Sequence, residues 1–121
     1  MCQVLGINRN SKVLDPCCGS GAFLVRAMTE AMDDCSNNKE RETFKKKNIY
    51  GIEYEENAFG LSTTNMLIHS DGNSNIRQGN CFEMSKFIEE ANINIVLMNP
   101  PFNAQRKHCR KSYVKNWDSK I

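Results

Sequence analysis

The sequence predicts an α/β fold built on a parallel, doubly wound sheet. Three observations predict it. Short β-like runs alternate with stretches of helical periodicity, the connections between runs are long enough for right-handed crossovers, and the last run is almost continuously apolar.

The elements follow in order. Lys12-Val13-Leu14 reads as a first strand, stopped at Asp15-Pro16 because proline cannot continue a ladder. From Ala22 to about Cys35 the residues Leu24, Ala27, Met28, Ala31 and Cys35 recur at helical spacing and predict one apolar face. The polar run Ser36-Asn37-Asn38-Lys39-Glu40-Arg41-Glu42 reads as a mobile loop that ends in more helix or coil. Asn48-Ile49-Tyr50-Gly51-Ile52-Glu53 is the second strand. From Glu55 to about Ser70, Ala58, Leu61, Asn65 and Ile68 predict an inward helical face, interrupted by the polar Asn65 and weakened by Gly60. Asp71-Gly72-Asn73-Ser74 is a turn by composition, and Asn75-Ile76-Arg77-Gln78-Gly79 a third, weaker strand. A short helix follows from about Glu83 to Ala91. The run Ile93-Asn94-Ile95-Val96-Leu97-Met98 suits a central strand buried on both faces.

Composition narrows the class. A chain of 121 residues with 40% hydrophobic and 25% charged residues has room for one soluble domain with one core. No apolar run approaches the roughly 20 residues a membrane-spanning helix needs. The first residues also lack the basic flank and apolar stretch of a signal peptide, so the reading places the protein in the cytoplasm, away from membranes. The six cysteines are scattered, apart from the adjacent Cys17 and Cys18, and form no C-x-x-C pair. They read as reduced thiols, with no metal site. A net charge of +2 says little about partners. The basic stretch Arg106, Lys107, Arg110, Lys111, Lys115, Lys120 in the tail 103–121 reads first as a solvated chain end, although it also suits a phosphate backbone.

The first chemical motif covers about residues 12–24. Asp15-Pro16-Cys17-Cys18-Gly19-Ser20-Gly21-Ala22-Phe23-Leu24 runs strand, glycine turn, helix. The glycines permit a tight turn and close ligand approach. The opening helix leaves amide N–H groups unpaired, which favours a carboxylate or phosphate. Asp15 adds a negative charge that suits an ammonium group. A ligand bearing both amine and carboxylate therefore fits better than a pyrophosphate. The dinucleotide fingerprint also needs a third glycine where Leu24 stands. Glu53, ending the second strand, is placed to accept from ribose hydroxyls in preference to its neighbours Glu55 and Glu56. Asn80 suits an adenine edge, with Cys81 and Phe82 packing nearby.

The second motif is Asn99-Pro100-Pro101-Phe102, directly after the last strand. Its prolines stiffen the backbone and remove two N–H donors, leaving the Asn99 side-chain oxygen and the Pro100 carbonyl as acceptors. A planar amine such as the exocyclic amine of adenine fits them, and Phe102 suits stacking on a base, worth roughly 1–3 kcal/mol.

On Asp15-Pro16-Cys17-Cys18-Gly19-Ser20-Gly21-Ala22-Phe23-Leu24, Gly51-Ile52-Glu53 and Asn99-Pro100-Pro101-Phe102, the chain resembles the N6-adenine amino-methyltransferases. The modification subunits of type I restriction-modification systems are the nearest in pattern. The resemblance covers about residues 10–103. It implies a Rossmann-like fold dependent on S-adenosylmethionine, with helices on both faces of the sheet. Asp15, Pro16, Cys17, Cys18, Gly19, Ser20, Gly21, Phe23, Glu53, Asn80 and Cys81 are then the cofactor-binding candidates. Asn99, Pro100, Pro101 and Phe102 are the acceptor-loop candidates for a flipped-out DNA adenine. The family usually has aspartate where this chain has Asn80.

The resemblance further implies a DNA partner, a specificity subunit and, in a full system, a restriction subunit. Related enzymes have three further strands and a preceding helical region, which are absent here. Residues 1–121 are therefore expected to be a truncated part of the catalytic domain, with the last strand left as a hydrophobic edge open to self-association. Two other readings keep these motifs: methylation of an RNA base or a protein glutamine, and a fragment that folds without turnover.

Overall fold

The computed structural model describes residues 1–70 and 75–100. The turn expected at 71–74, Pro101 and Phe102 of the acceptor loop, and the basic stretch 103–121 lie outside the described residues. The element order is β1 (Val13–Asp15), α1 (Ala22–Asp34), α2 (Asn38–Lys47), β2 (Ile49–Glu53), α3 (Glu56–Ser70), β3 (Asn75–Gln78), a 3₁₀ turn (Cys81–Glu83), α4 (Ser85–Glu90) and β4 (Ile95–Val96). The strands form one parallel sheet in the order β3-β2-β1-β4. The expected parallel α/β architecture is what the chain adopts.

Register sorts the side chains by face, because successive residues of a strand point to opposite sides. Val13 pairs with Ile49 and Ile95, and Gly51 with Ile76. This face carries the core, where Leu24, Ala27, Met28 and Ala31 of α1, Phe44 of α2 and Met66 of α3 pack with Val13, Ile49, Ile76 and Leu97. On the opposite face Tyr50 meets Phe87 of α4 edge-on, with ring centroids 5.8 Å apart, and the Arg77 guanidinium lies 5.4 Å from the Phe87 ring centre. Helices thus cover both faces. Truncating a fully buried side chain such as Leu24 is expected to cost about 2–5 kcal/mol.

Three expectations are corrected. Residues 38–42 are helix, not loop. Asn37 caps α2, its side chain accepting from the Glu40 N–H at 2.9 Å while the Glu40 carboxylate accepts from the Ser36 N–H at 2.7 Å. Lys45, Lys46 and Lys47 then sit in the last turn, where the helix dipole favours cations. One anchor, Phe44 at 1% exposure, suffices to dock this otherwise polar helix.

The inward face of α3 is also rotated from the expected one. Ser62 and Met66 are buried with Phe59 half-buried, whereas Leu61 and Ile68 are exposed. Three hydroxyls on α3 return to its own carbonyls, Ser62 and Thr63 to Phe59 and Thr64 to Gly60, so polar residues sit on its inner side without stranded donors.

The last strand is shorter than residues 93–98 and is not buried on both faces. β4 is only Ile95–Val96, at the edge of the sheet, with Val96 54% exposed and Met98 48% exposed. Its expected edge position does hold.

Smaller differences concern boundaries. β1 includes Asp15, and the last helix is divided into the 3₁₀ turn and α4, which begins at Ser85.

Candidate active site

In a parallel sheet all strands end at one edge, and ligands bind there at the point where the strand order reverses. Here the chain steps from β1 to β2 and β3 on one side, then returns to place β4 on the other side of β1. By that rule the ligand position is beyond Asp15, between the ends of β1 and β4. Leu97 N–H bonds the Leu14 carbonyl at 2.9 Å, so Asn99 emerges two residues further on, beside the β1 end. Topology brings the two motifs to one edge.

The glycine loop is held peptide by peptide. Cys17 N–H donates to Asp15 Oδ1 at 3.0 Å, and Cys18 N–H to the Ile52 carbonyl at 3.0 Å. Gly19 N–H donates to Glu53 Oε2 at 2.8 Å, and Gly21 N–H to the Cys18 carbonyl at 2.7 Å. On the far side of that last peptide the Ser20 carbonyl accepts from Asn65 Nδ2 of α3 at 2.8 Å. Gly19 and Gly21 have φ of +52° and +81°, a left-handed backbone that side chains disfavour. A Cβ on Gly19 would point into open space, so backbone conformation rather than crowding demands glycine there. Gly51 answers to crowding. A Cβ on it would lie 2.8 Å from Leu24 Cδ1, 3.2 Å from Cys18 Sγ and 3.3 Å from Ile76 Cγ1.

Asp15 is the electrostatic centre. It is 1% exposed, and no cation pairs with it among the described residues. Burial, opposed by the Cys17 N–H bond and reinforced by the nearby charge of Glu53, raises its pKa from 3.8 to about 6. A buried carboxylate without a cation, beside a glycine cradle, fits a ligand ammonium group. Glu53 is half-buried. Its Oε2 takes the Gly19 N–H and its Oε1 the Glu55 N–H at 2.9 Å, so each oxygen keeps a further lone pair for hydroxyl donors.

The other expected residues separate into groups. Asn80 sits after β3, its Oδ1 accepting from the Phe82 N–H at 3.1 Å and capping the 3₁₀ turn. The Cys17 and Cys81 thiols lie close enough to influence each other's ionisation, bringing the first motif near the end of β3. Cys18 is buried against Gly51, and Phe23 packs on the core, so both side chains support the loop from beneath. Burial pushes the Cys17 thiol up to about 11 and the Cys18 thiol to about 12, leaving both protonated at neutral pH and poor nucleophiles. Asn99 and Pro100 are exposed, while Pro101 and Phe102 lie outside the described residues. Among the described residues no cluster of His, Cys, Asp and Glu could hold a metal, the described cysteines are free thiols, and no helix is long and apolar enough to cross a membrane.

A concavity of about 670 Å³ lies at the opposite edge, where Lys12 precedes β1 and Asn48 precedes β2. Its Arg9 pairs with Asp34 at 4.0 Å and Glu40 at 3.6 Å. The arginine there has acidic partners within the protein, whereas Asp15 has no cation paired with it among the described residues.

The family model for N-6 DNA methylase matches residues 1–120. The chain belongs to the N-6 DNA methylase family. Among its relatives, a type II restriction enzyme and methyltransferase, RM.BcgI of Heyndrickxia coagulans, is 41% identical over 89% of this chain and 18% of its own length. The methylase subunit of the type I restriction enzyme EcoEI of Escherichia coli is 31% identical over 74% of this chain and 19% of its own. A modification subunit from Vibrio vulnificus YJ016 superposes with a TM-score of 0.72 at 28% identity, covering 94% of this chain and 23% of that one. The chain thus spans under a fifth of the length of the first two relatives.

Sequence reasoning missed Ser62 and Asn65. Ser62 is fully buried against Gly21, and Asn65 holds the Ser20 carbonyl. The signal that could have found them was the polar Asn65 interrupting an otherwise apolar helical period.

Proposed function

We propose that this segment is the cofactor-binding and acceptor-presenting part of an enzyme that methylates the N6 amine of adenine in DNA, using S-adenosylmethionine. The observation that carries it is the buried Asp15, paired with no cation among the described residues, beneath a left-handed glycine loop at the switch point of the sheet, in a member of the N-6 DNA methylase family. Residues 12–24 form the cofactor motif, 99–102 the acceptor loop and 103–121 a basic tail of a partial catalytic domain. The expected partners are DNA, a specificity subunit and, in a full system, a restriction subunit, with the cytoplasm as location. Relatives named as restriction-enzyme methylases support the assignment.

The residues divide the work. S-adenosylmethionine supplies an activated methyl group on a sulfonium centre. Asp15 holds the ammonium of its amino-acid part, and the unpaired amides of the first turn of α1, which the loop from Pro16 to Gly21 sets in place, receive the carboxylate. Glu53 accepts from the ribose hydroxyls through the lone pairs left after its two amide bonds. Asn80 and Cys81 line the adenine end of the cofactor. On the acceptor side, the Asn99 side-chain oxygen and the Pro100 carbonyl accept from the target amine. They keep its nitrogen lone pair directed at the methyl group, so rate comes from positioning. Phe102 stacks on the flipped base. No protein nucleophile is needed, consistent with the protonated Cys17 and Cys18.

Calorimetric titration of the chain with S-adenosylmethionine, alongside Asp15→Ala, tests the cofactor half. Binding that the substitution abolishes is expected. Absence of binding by a folded wild-type sample overturns the assignment of a self-sufficient site. Methylation assays offering DNA, RNA and glutamine-bearing protein then separate the acceptor classes.

A further inference from the structure

We infer that Asn65 of α3 is a positioning residue for the cofactor loop. It holds the Ser20–Gly21 peptide, and with it the start of α1, in the orientation that shapes the site for the amino-acid part of the ligand. The inference rests on the cofactor assignment above and extends it to a residue 45 positions away from Ser20, outside both sequence motifs.

Asn65 lies on the helical face it shares with Ala58, Leu61 and Ile68, yet Leu61 and Ile68 are exposed. Asn65 is half-buried and reaches the glycine loop through its side-chain amide. Its Nδ2 donates to the Ser20 carbonyl at 2.8 Å, while the Gly21 N–H of the same peptide donates to the Cys18 carbonyl at 2.7 Å. A peptide unit is planar, so bonds at its two opposite ends fix the plane as a whole. That plane joins Ser20 to Gly21, whose positive φ marks a backbone position with wide conformational freedom, and Gly19 with positive φ stands one residue before it. Without the Asn65 bond, only one end of it is tied. Ser62, one turn earlier on α3, sits 3.5 Å from where a Cβ on Gly21 would lie, so the helix braces the loop by contact as well. Holding the loop in its bound shape beforehand removes an ordering cost from binding.

Alternatives elsewhere are weaker. The concavity at the opposite edge has its arginine matched internally, and nothing indicates what covers the apolar face of α3.

The test compares wild type with Asn65→Asp, which keeps the shape and removes the donor, and Asn65→Ala. Two ligands are titrated, S-adenosylhomocysteine and 5′-methylthioadenosine, which lacks the amino-acid part. Amide hydrogen exchange is followed at Gly21. Both variants are expected to bind S-adenosylhomocysteine roughly five- to tenfold more weakly, as for loss of one hydrogen bond, and to bind 5′-methylthioadenosine as wild type does. Gly21 exchange is expected to rise by a similar factor, with the β1 amides unchanged. A general loss of structure would weaken both ligands together and raise exchange throughout, and that result overturns the inference. So does unchanged Gly21 exchange in whichever variant remains folded. If wild type binds neither ligand, the cofactor assignment fails and the inference with it. If wild type binds both and the variants match it, only the role of Asn65 fails.

Discussion

The two ends of the candidate site differ in how completely this chain builds them. At the cofactor end, the amides of Cys17, Cys18, Gly19 and Gly21 each meet an acceptor, drawn from β1, from β2 or from the loop itself, and α3 closes the far side. At the acceptor end, β4 has two residues, and Val96, Met98, Asn99 and Pro100 are exposed. The first region has its supporting residues within the described fold, whereas the second sits on an edge strand. Binding the cofactor and presenting the base should therefore be separable properties of this polypeptide.

The largest expected effects cut along that line. In a methylating enzyme carrying this segment, Asn99→Ala should lower methyl transfer by roughly 100-fold or more, as misplacement of the amine does. It should leave S-adenosylmethionine affinity within about twofold. Asp15→Ala should instead weaken cofactor binding roughly 10- to 100-fold, the scale of a charged hydrogen bond. Equal affinity in both variants would dissolve the division, and calorimetry on each decides it.

Proton linkage sharpens the same contrast. Asp15 has its folded pKa raised to about 6 chiefly by burial, so ionisation is opposed in the free protein. Its contribution to stability is fully present below the unfolded value of 3.8 and is lost as pH rises through about 6. An ammonium ligand favours the ionised form, so affinity should strengthen with pH across this window. From pH 7 down to pH 5 a loss of roughly tenfold is expected. Asp15→Asn should flatten that profile and should be more thermostable than wild type at pH 8, with the gap closing near pH 4. A pH-independent affinity in wild type would place the ammonium elsewhere.

What the sequence made legible follows the same division. The conformation of the glycine loop was readable because its requirements are local: glycines where φ is positive, an acid ending a strand, a helix starting at once. The acid at the end of β2 was readable from strand position alone. Helix α2 was mistaken for loop because polar composition outweighed the cap signal Asn37-Asn38-Lys39-Glu40, and one phenylalanine proved enough to dock it. The face of α3 was misassigned because hydroxyl residues can turn inward when they bond their own helix, a possibility that hydrophobic periodicity does not register. The brace from Asn65 to Ser20 is a contact between distant segments, and only the folded chain brings them together.

Packing beneath the loop supplies a further contrast. Gly51 lets α1 and the loop lie directly on β2, since a methyl group there would meet Leu24, Cys18 and Ile76 all within 3.3 Å. Gly51→Ala should destabilise the fold by about 1–3 kcal/mol, read as a lower midpoint in urea. It should also weaken cofactor binding, since Cys18 must shift and its N–H is tied to the Ile52 carbonyl.

The smallest effect belongs to the edge. Val96 is 54% exposed beside the β1–β4 ladder, so Val96→Lys removes little burial and should change stability by no more than about 0.5 kcal/mol. A charge on an edge strand nevertheless discourages pairing with another chain. If the edge of β4 is where copies associate, size-exclusion chromatography should show wild type eluting earlier with increasing concentration and Val96→Lys eluting as a monomer throughout. Coincident monomer elution of both proteins would remove self-association from the properties of this edge. Cofactor affinity should be the same in the two proteins, because none of the bonds that hold the glycine loop passes through Val96.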